Sequence, residues 1–282
     1  MKGVLNLYKP RGITSSAAVV SARKILGVKA IGHMGTLDPA GEGVLLLGVG
    51  KATRLFDHFL HKDKVYTAEF CFGYVTDTLD GDGTVTQTTD VIPDRAALTA
   101  ILPQFIGKQQ QIPPQYSAKS VHGVRAYALA REGKTVALPP CEVEIYSLEC
   151  TEQTGEHTYR MQIHCSSGTY IRSLCRDIAA ALGSLATMVS IKRLRCGPFT
   201  AENSVTLDRL AQEKENALVP LCEALNDLPV VRLSDELFAP LCNGIKIPCE
   251  QKGEFLLYCR GELFGIARAE KRILKIKTYL RD

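Results

Sequence analysis

The segment GHMGTLDP, residues 32 to 39, places a single carboxylate, that of Asp38, in a loop punctuated by glycines. Glycine permits positive φ angles and close approach of the backbone, and Pro39 stiffens the position after the acid. A carboxylate held on such a turn is suited to act as a nucleophile or as a base. The alternative is an aspartate that only caps a turn, which is the commoner role of an isolated Leu-Asp-Pro sequence.

The residues on both sides of this loop predict the elements that hold it. Upstream, the spacing of Val19, Ala22 and Leu26 predicts a helix over 15–26 that begins after a hydroxyl cap and ends at Gly27. Downstream, the apolar run over 44–49 predicts a short buried strand. Asp38 is therefore expected between a helix and a strand of the core.

Further elements follow from the same two patterns. Alternating apolar residues predict strands at 65–74, 142–150 and 158–165, and apolar residues at helical spacing predict helices at 94–105 and 171–182. Turn signals at 243–244, 252–253 and 260–261 separate short apolar runs in the C-terminal part of the chain. Those runs are typical of a small antiparallel barrel.

The loop and its flanks resemble the catalytic motif of TruB-type pseudouridine synthases, which isomerise the uridine at position 55 in the T loop of tRNA. The resemblance extends in order over roughly residues 3 to 200. Met34 and Glu42 depart from the family pattern, but neither replaces the acid. The other matching segments are NLYKPRGITS at 6–15, KVY at 64–66, QIPPQYSAKSVHGVRAYALAREG at 111–133 and CSSGTYIR at 165–172.

The resemblance implies roles for three catalytic residues. Asp38 is the catalytic carboxylate, either a nucleophile at the sugar or a base, and the sequence leaves that choice open. Arg172 is the cation beside it, and an arginine a few ångströms away lowers a carboxylate pKa by roughly 1 to 3 units. Tyr66 is the ring that stacks on the flipped target base, a contact worth about 1 to 3 kcal/mol.

The resemblance also implies a set of substrate-binding residues. His33 enters the T loop and fills the space that the flipped bases leave, while Tyr170 and Ile191 line the site near the target base. Leucine is common in the family where Ile191 stands. Lys9 and Lys119 are candidates for phosphate contacts, although a solvated lysine is the default for either position.

The fold implied by the resemblance is α+β, with a mixed, largely antiparallel sheet flanked by helices and a small C-terminal PUA-like β-barrel. Residues 1–229 would form the catalytic domain, including an RNA-binding insertion at about 108–134, and residues 230–282 a PUA-like RNA-binding domain. The last 23 residues contain seven Lys and Arg against three acids, which favours a role in gripping RNA. A stability domain with a solvated face is the alternative.

Charge is distributed unevenly along the 282 residues, whose net charge is +4. Residues 1–30 carry a net charge of +6, residues 160–200 carry +5, and residues 201–227 carry −4. Such segregation is typical of a surface that binds a polyanion, although basic runs are also found on ordinary solvated faces. The resemblance implies that the polyanion is the T stem-loop of tRNA.

Several other classes of function are disfavoured by what the sequence lacks. It has no G-x-G-x-x-G after a strand, no Walker loop and no cluster of metal ligands, so no cofactor and no metal are expected. None of the ten cysteines forms a C-x-x-C pair, which favours free thiols in a reducing cytoplasm. No segment holds the ~18 apolar residues that span a membrane, no targeting segment is recognised, and no obligate protein partner is evident.

Two rival functions remain open at this point. A non-catalytic RNA-binding or tRNA-folding protein would have the same charge distribution, but Asp38, Tyr66 and Arg172 argue for chemistry. A hydrolase of free nucleosides would also use a carboxylate at the sugar, but it would have no need of the long basic insertion.

Overall fold

The computed structural model of the chain describes residues 1–117, 119–121, 124–133 and 136–281. Its strands are β1 (Gly3–Lys9), β2 (Ile31–His33), β3 (Glu42–Val49), β4 (Lys64–Phe72), β5 (Tyr74–Thr76), β6 (Val85–Thr88), β7 (Gly107–Gln111), β8 (Ser120–Val121), β9 (Val124–Arg125), β10 (Cys141–Gly155), β11 (Thr158–Cys165), β12 (Ala186–Cys196), β13 (Phe199–Thr200), β14 (Val230–Leu233), β15 (Glu254–Cys259), β16 (Glu262–Glu270) and β17 (Ile273–Tyr279). Its helices are α1 (Ser15–Leu26), α2 (Phe56–Leu60), α3 (Arg95–Ile101), α4 (Ala126–Arg131), α5 (Ile171–Ala181), α6 (Leu207–Glu213), α7 (Leu221–Ala224) and α8 (Phe238–Cys242).

A nine-stranded sheet forms the centre of the molecule, in the order β1-β3-β12-β4-β11-β10-β7, with β2 paired to β3 and β13 paired to β12. Its neighbours are antiparallel except β3 and β12, which run parallel. The predicted α+β class with a mixed, largely antiparallel sheet is confirmed. None of the helices in the described residues is long and apolar enough to cross a membrane.

Helix α1 shows how local sequence sets an element. The Thr14 hydroxyl accepts a hydrogen bond from the Ala17 amide at 3.0 Å, and Gly27 ends the helix in the left-handed region with φ of 67°. Both bounds of the predicted helix are confirmed. The strand predicted over 65–74 instead ends at Phe72, because Gly73 has φ of 105° and turns the chain into the β5-β6 hairpin.

One face of the sheet is buried against α5 and α3. The buried side chains of β4, β11 and β12 pack there with Leu174 and Ile178 of α5 and with Leu98 of α3. Cys165 and Cys175 are buried in this core as small apolar groups, whereas Cys71 lies half-buried on the opposite face. This packing fixes α5, and with it Arg172, against the strands that carry Tyr66 and Ile191.

The C-terminal residues form a four-stranded sheet in the order β14-β15-β16-β17. Within the described residues β14 and β17 do not pair with each other, so the sheet is open where a closed barrel was predicted. Its residues Leu256, Ile266 and Leu280 share a core cluster with Val4 and Phe59 of the N-terminal part. The division at residue 229 stays a prediction, and this shared core joins the two segments.

The predicted insertion at about 108–134 is described in part. It contains β7, the short hairpin of β8 and β9, and α4. Residues 118, 122, 123 and 134 lie outside the described residues. The backbone before that gap, at Tyr116, reaches the site described below.

Candidate active site

Hydrogen bonds to its backbone hold the loop that carries Asp38. The carbonyl of Leu37 accepts from the Ser15 hydroxyl at 2.9 Å, and the same hydroxyl accepts from the Leu37 amide at 2.9 Å. The carbonyl of Pro39 accepts from the Gly12 amide at 2.8 Å. The peptide groups on both sides of Asp38 are therefore fixed by the connection between β1 and α1, while the Asp38 side chain remains 34% exposed.

Lys9, at the end of β1, reaches the same loop from inside the fold. Its side chain is buried, and its ammonium donates to the carbonyls of Ile13 at 2.7 Å, Pro10 at 2.9 Å and Pro39 at 3.4 Å. This geometry corrects the predicted phosphate contact. An ammonium with three backbone acceptors in the interior holds the loop and is not available to RNA.

Lys9 gives the stability a pH dependence whose sign follows from its pKa. Burial lowers the pKa of the ammonium to about 8 from 10.5. Between these values the unfolded chain binds the proton and the folded chain does not, so the free energy of unfolding rises with pH. Wild type should gain stability relative to Lys9→Met between about pH 8 and pH 10.5. Urea unfolding at matched pH measures this, and a pH-independent difference would contradict the lowered pKa of Lys9 in the folded chain.

The guanidinium of Arg172 lies between two carboxylates. Arg172 is the second residue of α5, and its side chain is 7% exposed. Its Nη2 lies 2.9 Å from Asp38 Oδ2 and donates to the Tyr116 carbonyl at 3.0 Å. Its Nη1 lies 3.3 Å from Asp80 Oδ2 and donates to the Thr78 carbonyl at 3.0 Å. Each terminal nitrogen thus has two acceptors, which fixes the guanidinium plane beside Asp38.

Asp80 is a site residue that the sequence analysis misses. Its Oδ1 accepts from the Thr78 hydroxyl at 2.6 Å and from the Asp82 amide at 3.2 Å. Burial raises the pKa of Asp80, while the hydrogen bond from Thr78 and the charge of Arg172 oppose that rise. The available signal was the polar turn TDTLDGDG at 76–83, but nothing in that pattern places the turn beside Arg172.

Tyr66 and Ile191 belong to one buried cluster. They lie on the adjacent strands β4 and β12 and are 8% and 7% exposed. A Cβ on Gly41, three residues after Asp38, would lie 3.1 Å from Cγ2 of Ile191, so Ile191 is in close contact with the Asp38 loop. Burial raises the pKa of Tyr66 to about 12, against the opposing charge of Arg193. The Tyr66 hydroxyl is therefore neutral near pH 7.

Tyr170 stands immediately before α5 and is held by Gln111 at the end of β7. Its amide donates to Gln111 Oε1 at 2.8 Å, and its carbonyl accepts from Gln111 Nε2 at 3.1 Å. Burial raises the pKa of its phenol, and the charge of Asp38 acts in the same direction. Gln111 was also missed, although it begins the predicted insertion motif.

His33 and Lys119 lie at the edges of the site. His33 ends β2 and is half-buried, and burial, followed by the charge of Arg193, lowers its pKa so that the imidazole is neutral near pH 7. Lys119 is half-buried, and its carbonyl accepts from the Ala126 amide at 2.8 Å. Their contacts with RNA stay predictions.

The arrangement presents one accessible carboxylate, Asp38, against buried cations. Arg172 supplies fixed positive charge beside it, and Asp80 stabilises that cation from the far side. Such a group can attack an electrophilic carbon or accept a proton. Within the described residues, no three His, Cys, Asp or Glu side chains are grouped so that they could hold a metal ion.

Family profiles match most of this chain. That of the TruB family pseudouridylate synthase N-terminal domain matches residues 23–171, and that of the tRNA pseudouridylate synthase B C-terminal domain matches residues 172–228. Proteins named tRNA pseudouridine synthase B are similar along their length. That of Thermosipho melanesiensis is 37% identical over 100% of both chains, and that of Rickettsia bellii (strain OSU 85-389) is 43% identical over 82% of this chain and 81% of its own.

Solved structures show the same fold. An H/ACA RNP bound to a substrate RNA containing 2'-deoxyuridine has a chain with a TM-score of 0.74 and 25% identity, covering 99% of this chain and 85% of that one. A Cbf5-Nop10-Gar1 complex also contains a similar chain, with a TM-score of 0.74 and 26% identity. The match covers 99% of this chain and 84% of that chain. Because two adjoining profiles and relatives above 30% identity cover most of its length, the chain belongs to the TruB family of pseudouridylate synthases.

Proposed function

We propose that this enzyme converts the uridine at position 55 in the T loop of tRNA to pseudouridine, without a cofactor and with Asp38 as the catalytic nucleophile or base. The observation that carries the proposal is the 2.9 Å contact between Arg172 and the accessible carboxylate of Asp38. The names of the relatives support tRNA as the substrate. The basic segments of the chain support a polyanionic partner.

The reaction breaks the bond between C1' of the ribose and N1 of uracil, turns the base and joins C1' to C5. C5 loses a proton and N1, which keeps the electron pair of the broken bond, gains one. Atoms and electrons therefore balance without a group donor or an oxidant. Asp38 in its ionised form either attacks the sugar or removes a proton from it, and the guanidinium of Arg172 lies beside its carboxylate at 2.9 Å. Arginine stays protonated at any working pH, so it stabilises charge and does not move the proton itself.

Tyr66 is proposed to stack on the flipped uracil. Tyr66→Phe keeps the ring and loses the hydroxyl, whereas Tyr66→Leu loses both. Leu should cost about 1 to 3 kcal/mol of stacking, and Phe should match wild type if only the ring matters. Because the hydroxyl is neutral, a slow Phe variant would mean that it relays or orients a proton at C5 and is not a phenolate base. Single-turnover rates separate these cases, and an active Leu variant would contradict a role for the ring.

Tritium release from a tRNA transcript labelled at C5 of uridine tests the proposed function. The full tRNA and an isolated T-arm stem-loop should both release tritium, since loops with splayed bases are what RNA-binding proteins mostly recognise. The control transcript carries cytidine at position 55. Release that persists with this control would contradict the T-loop position. Tight binding without release from either RNA would instead identify a non-catalytic tRNA-binding protein.

The segment 230–282 is proposed to add affinity for the tRNA backbone. Seven Lys and Arg in its last 23 residues support this proposal. Some of these charges are used within the fold, such as Lys277 against Glu254 at 2.6 Å and Lys275 against Glu270 at 2.7 Å. Affinity that falls steeply with salt is expected, because phosphate contacts release counterions.

A further inference from the structure

Arg193 is a buried cation whose partners are not carboxylates. It is 3% exposed, and among the described residues it has no ion pair of the kind that Arg172 makes. Its Nε donates to the Val44 carbonyl at 2.6 Å, and its Nη1 donates to the Thr36 carbonyl at 3.2 Å. A buried guanidinium is costly unless its donors are used, so these contacts define where the side chain must lie.

The same side chain lies between the Asp38 loop and the strand that carries Tyr66. Arg193 stands opposite Tyr66 on β4 and opposite Gly43 on β3, and its charge lowers the pKa of the Tyr66 phenol against the effect of burial. A Cβ at Gly43 would lie 2.3 Å from the Arg193 carbonyl, so the two strands approach here as closely as glycine allows. Thr36, which accepts from Nη1, lies two residues before Asp38.

The two carbonyl acceptors of Arg193 lie on either side of Asp38 in the sequence. Thr36 precedes Asp38 in its loop, and Val44 follows it in β3. Loss of Arg193 would release both contacts.

We propose that Arg193 is a positioning residue for the reaction, which fixes the Asp38 loop against β12 and acts through that loop without contacting the RNA. This inference rests on the proposed function, since it assigns Arg193 to the same site. It predicts that the chemical step depends on Arg193 more than RNA binding does.

The test compares Arg193→Met and Arg193→Lys with wild type in single-turnover tritium release at saturating enzyme. Met should lower the rate constant by about a hundredfold, the effect of a misplacement of about 1 Å, with RNA affinity retained. Lys keeps the charge without the planar fork and should recover only part of the rate. The matched control is Arg195→Met, on the same strand, whose guanidinium pairs with Asp63 at 2.6 Å outside this site. An equal loss in the control, or a loss carried by affinity alone, would overturn the proposal.

The unfolding temperature of each variant is measured alongside and separates positioning from general destabilisation. Arg193→Lys is used if Arg193→Met does not fold.

Amide hydrogen exchange tests the loop contact without RNA. Arg193→Met, or Arg193→Lys in its place, should lose protection over residues 34–44, whereas Arg195→Met should keep it. Unchanged protection would overturn the bracing role. A wild-type protein that leaves both RNAs unmodified would overturn the proposed function, and the exchange result would still decide whether Arg193 braces the loop.

Discussion

The Asp38→Asn enzyme should turn over uridine at least about three decades more slowly than wild type, a difference on the order of 4 kcal/mol in the barrier. The amide has the same shape but can neither attack the sugar nor accept a proton from it. The loop should keep its conformation, because the hydrogen bonds that fix it go to the backbone of Leu37 and Pro39 and not to the carboxylate. Affinity for tRNA should therefore stay close to that of wild type.

Single-turnover tritium release and equilibrium tRNA binding measure the two parts of this expectation. The matched control is Asp82→Asn, the same change at an exposed aspartate near the site, whose contact with Asp80 is made by its backbone amide. That control should leave turnover unchanged. A folded Asp38→Asn protein with normal turnover would remove Asp38 from the mechanism.

Local patterns predicted the elements that depend on local interactions. Helix α1 has its cap at Thr14 and its stop at Gly27, and both signals lie within the helix ends themselves. Alternation in β4 placed Tyr66 on the buried face with Phe70. The long central strand β12 was not predicted, because its register against β4 shifts twice and the alternation of its residues is interrupted there.

The missed site residues depend on contacts distant in sequence. Asp80 matters because its turn meets β12 at Met188 and presents the carboxylate to Arg172. No local pattern encodes that meeting. Arg193 did carry a signal, since it follows Ile191 at a spacing of two and so shares its inward face. A basic residue on the inward face of a strand is a candidate for a role inside the site. The sequence analysis named Ile191 on this face but did not name Arg193.

Lys9 illustrates the opposite error. A lysine in a basic segment is solvated by default, and motif position alone does not report burial. The chain after Lys9 turns so that the carbonyls of Pro10 and Ile13 face the Lys9 ammonium.

The C-terminal segment was likewise treated as separable from the rest of the chain. Deleting 230–282 would, however, expose Val4 and Phe59, which pack against its sheet. Binding measured on such a truncation needs a stability measurement beside it.

Arg172→Gln should lose turnover and also destabilise the fold by about 3 to 5 kcal/mol, the cost of leaving a buried charge without its partner. The uncompensated charge is that of Asp80, whose side chain is 11% exposed, whereas Asp38 is 34% exposed and solvent can screen it. Loss of the cation raises the pKa of Asp80 further, so the folded variant binds a proton more readily than wild type. Its stability deficit should therefore shrink as the pH is lowered.

Removing the second charge separates stability from catalysis at Arg172. The double variant Arg172→Gln/Asp80→Asn should recover much of the stability, because no buried charge is left unpaired, but it should not recover turnover, because Asp38 still lacks its cation. Arg172→Lys should fold but should react poorly. One ammonium cannot serve the four acceptors that are arranged around the guanidinium. The control is Arg176→Gln, one turn further along α5, which pairs with Asp177 at the surface. The measurements are the unfolding free energies and single-turnover rates of these four variants. A double variant that is as unstable as Arg172→Gln, or one with restored turnover, would contradict the roles given to Arg172 and Asp80.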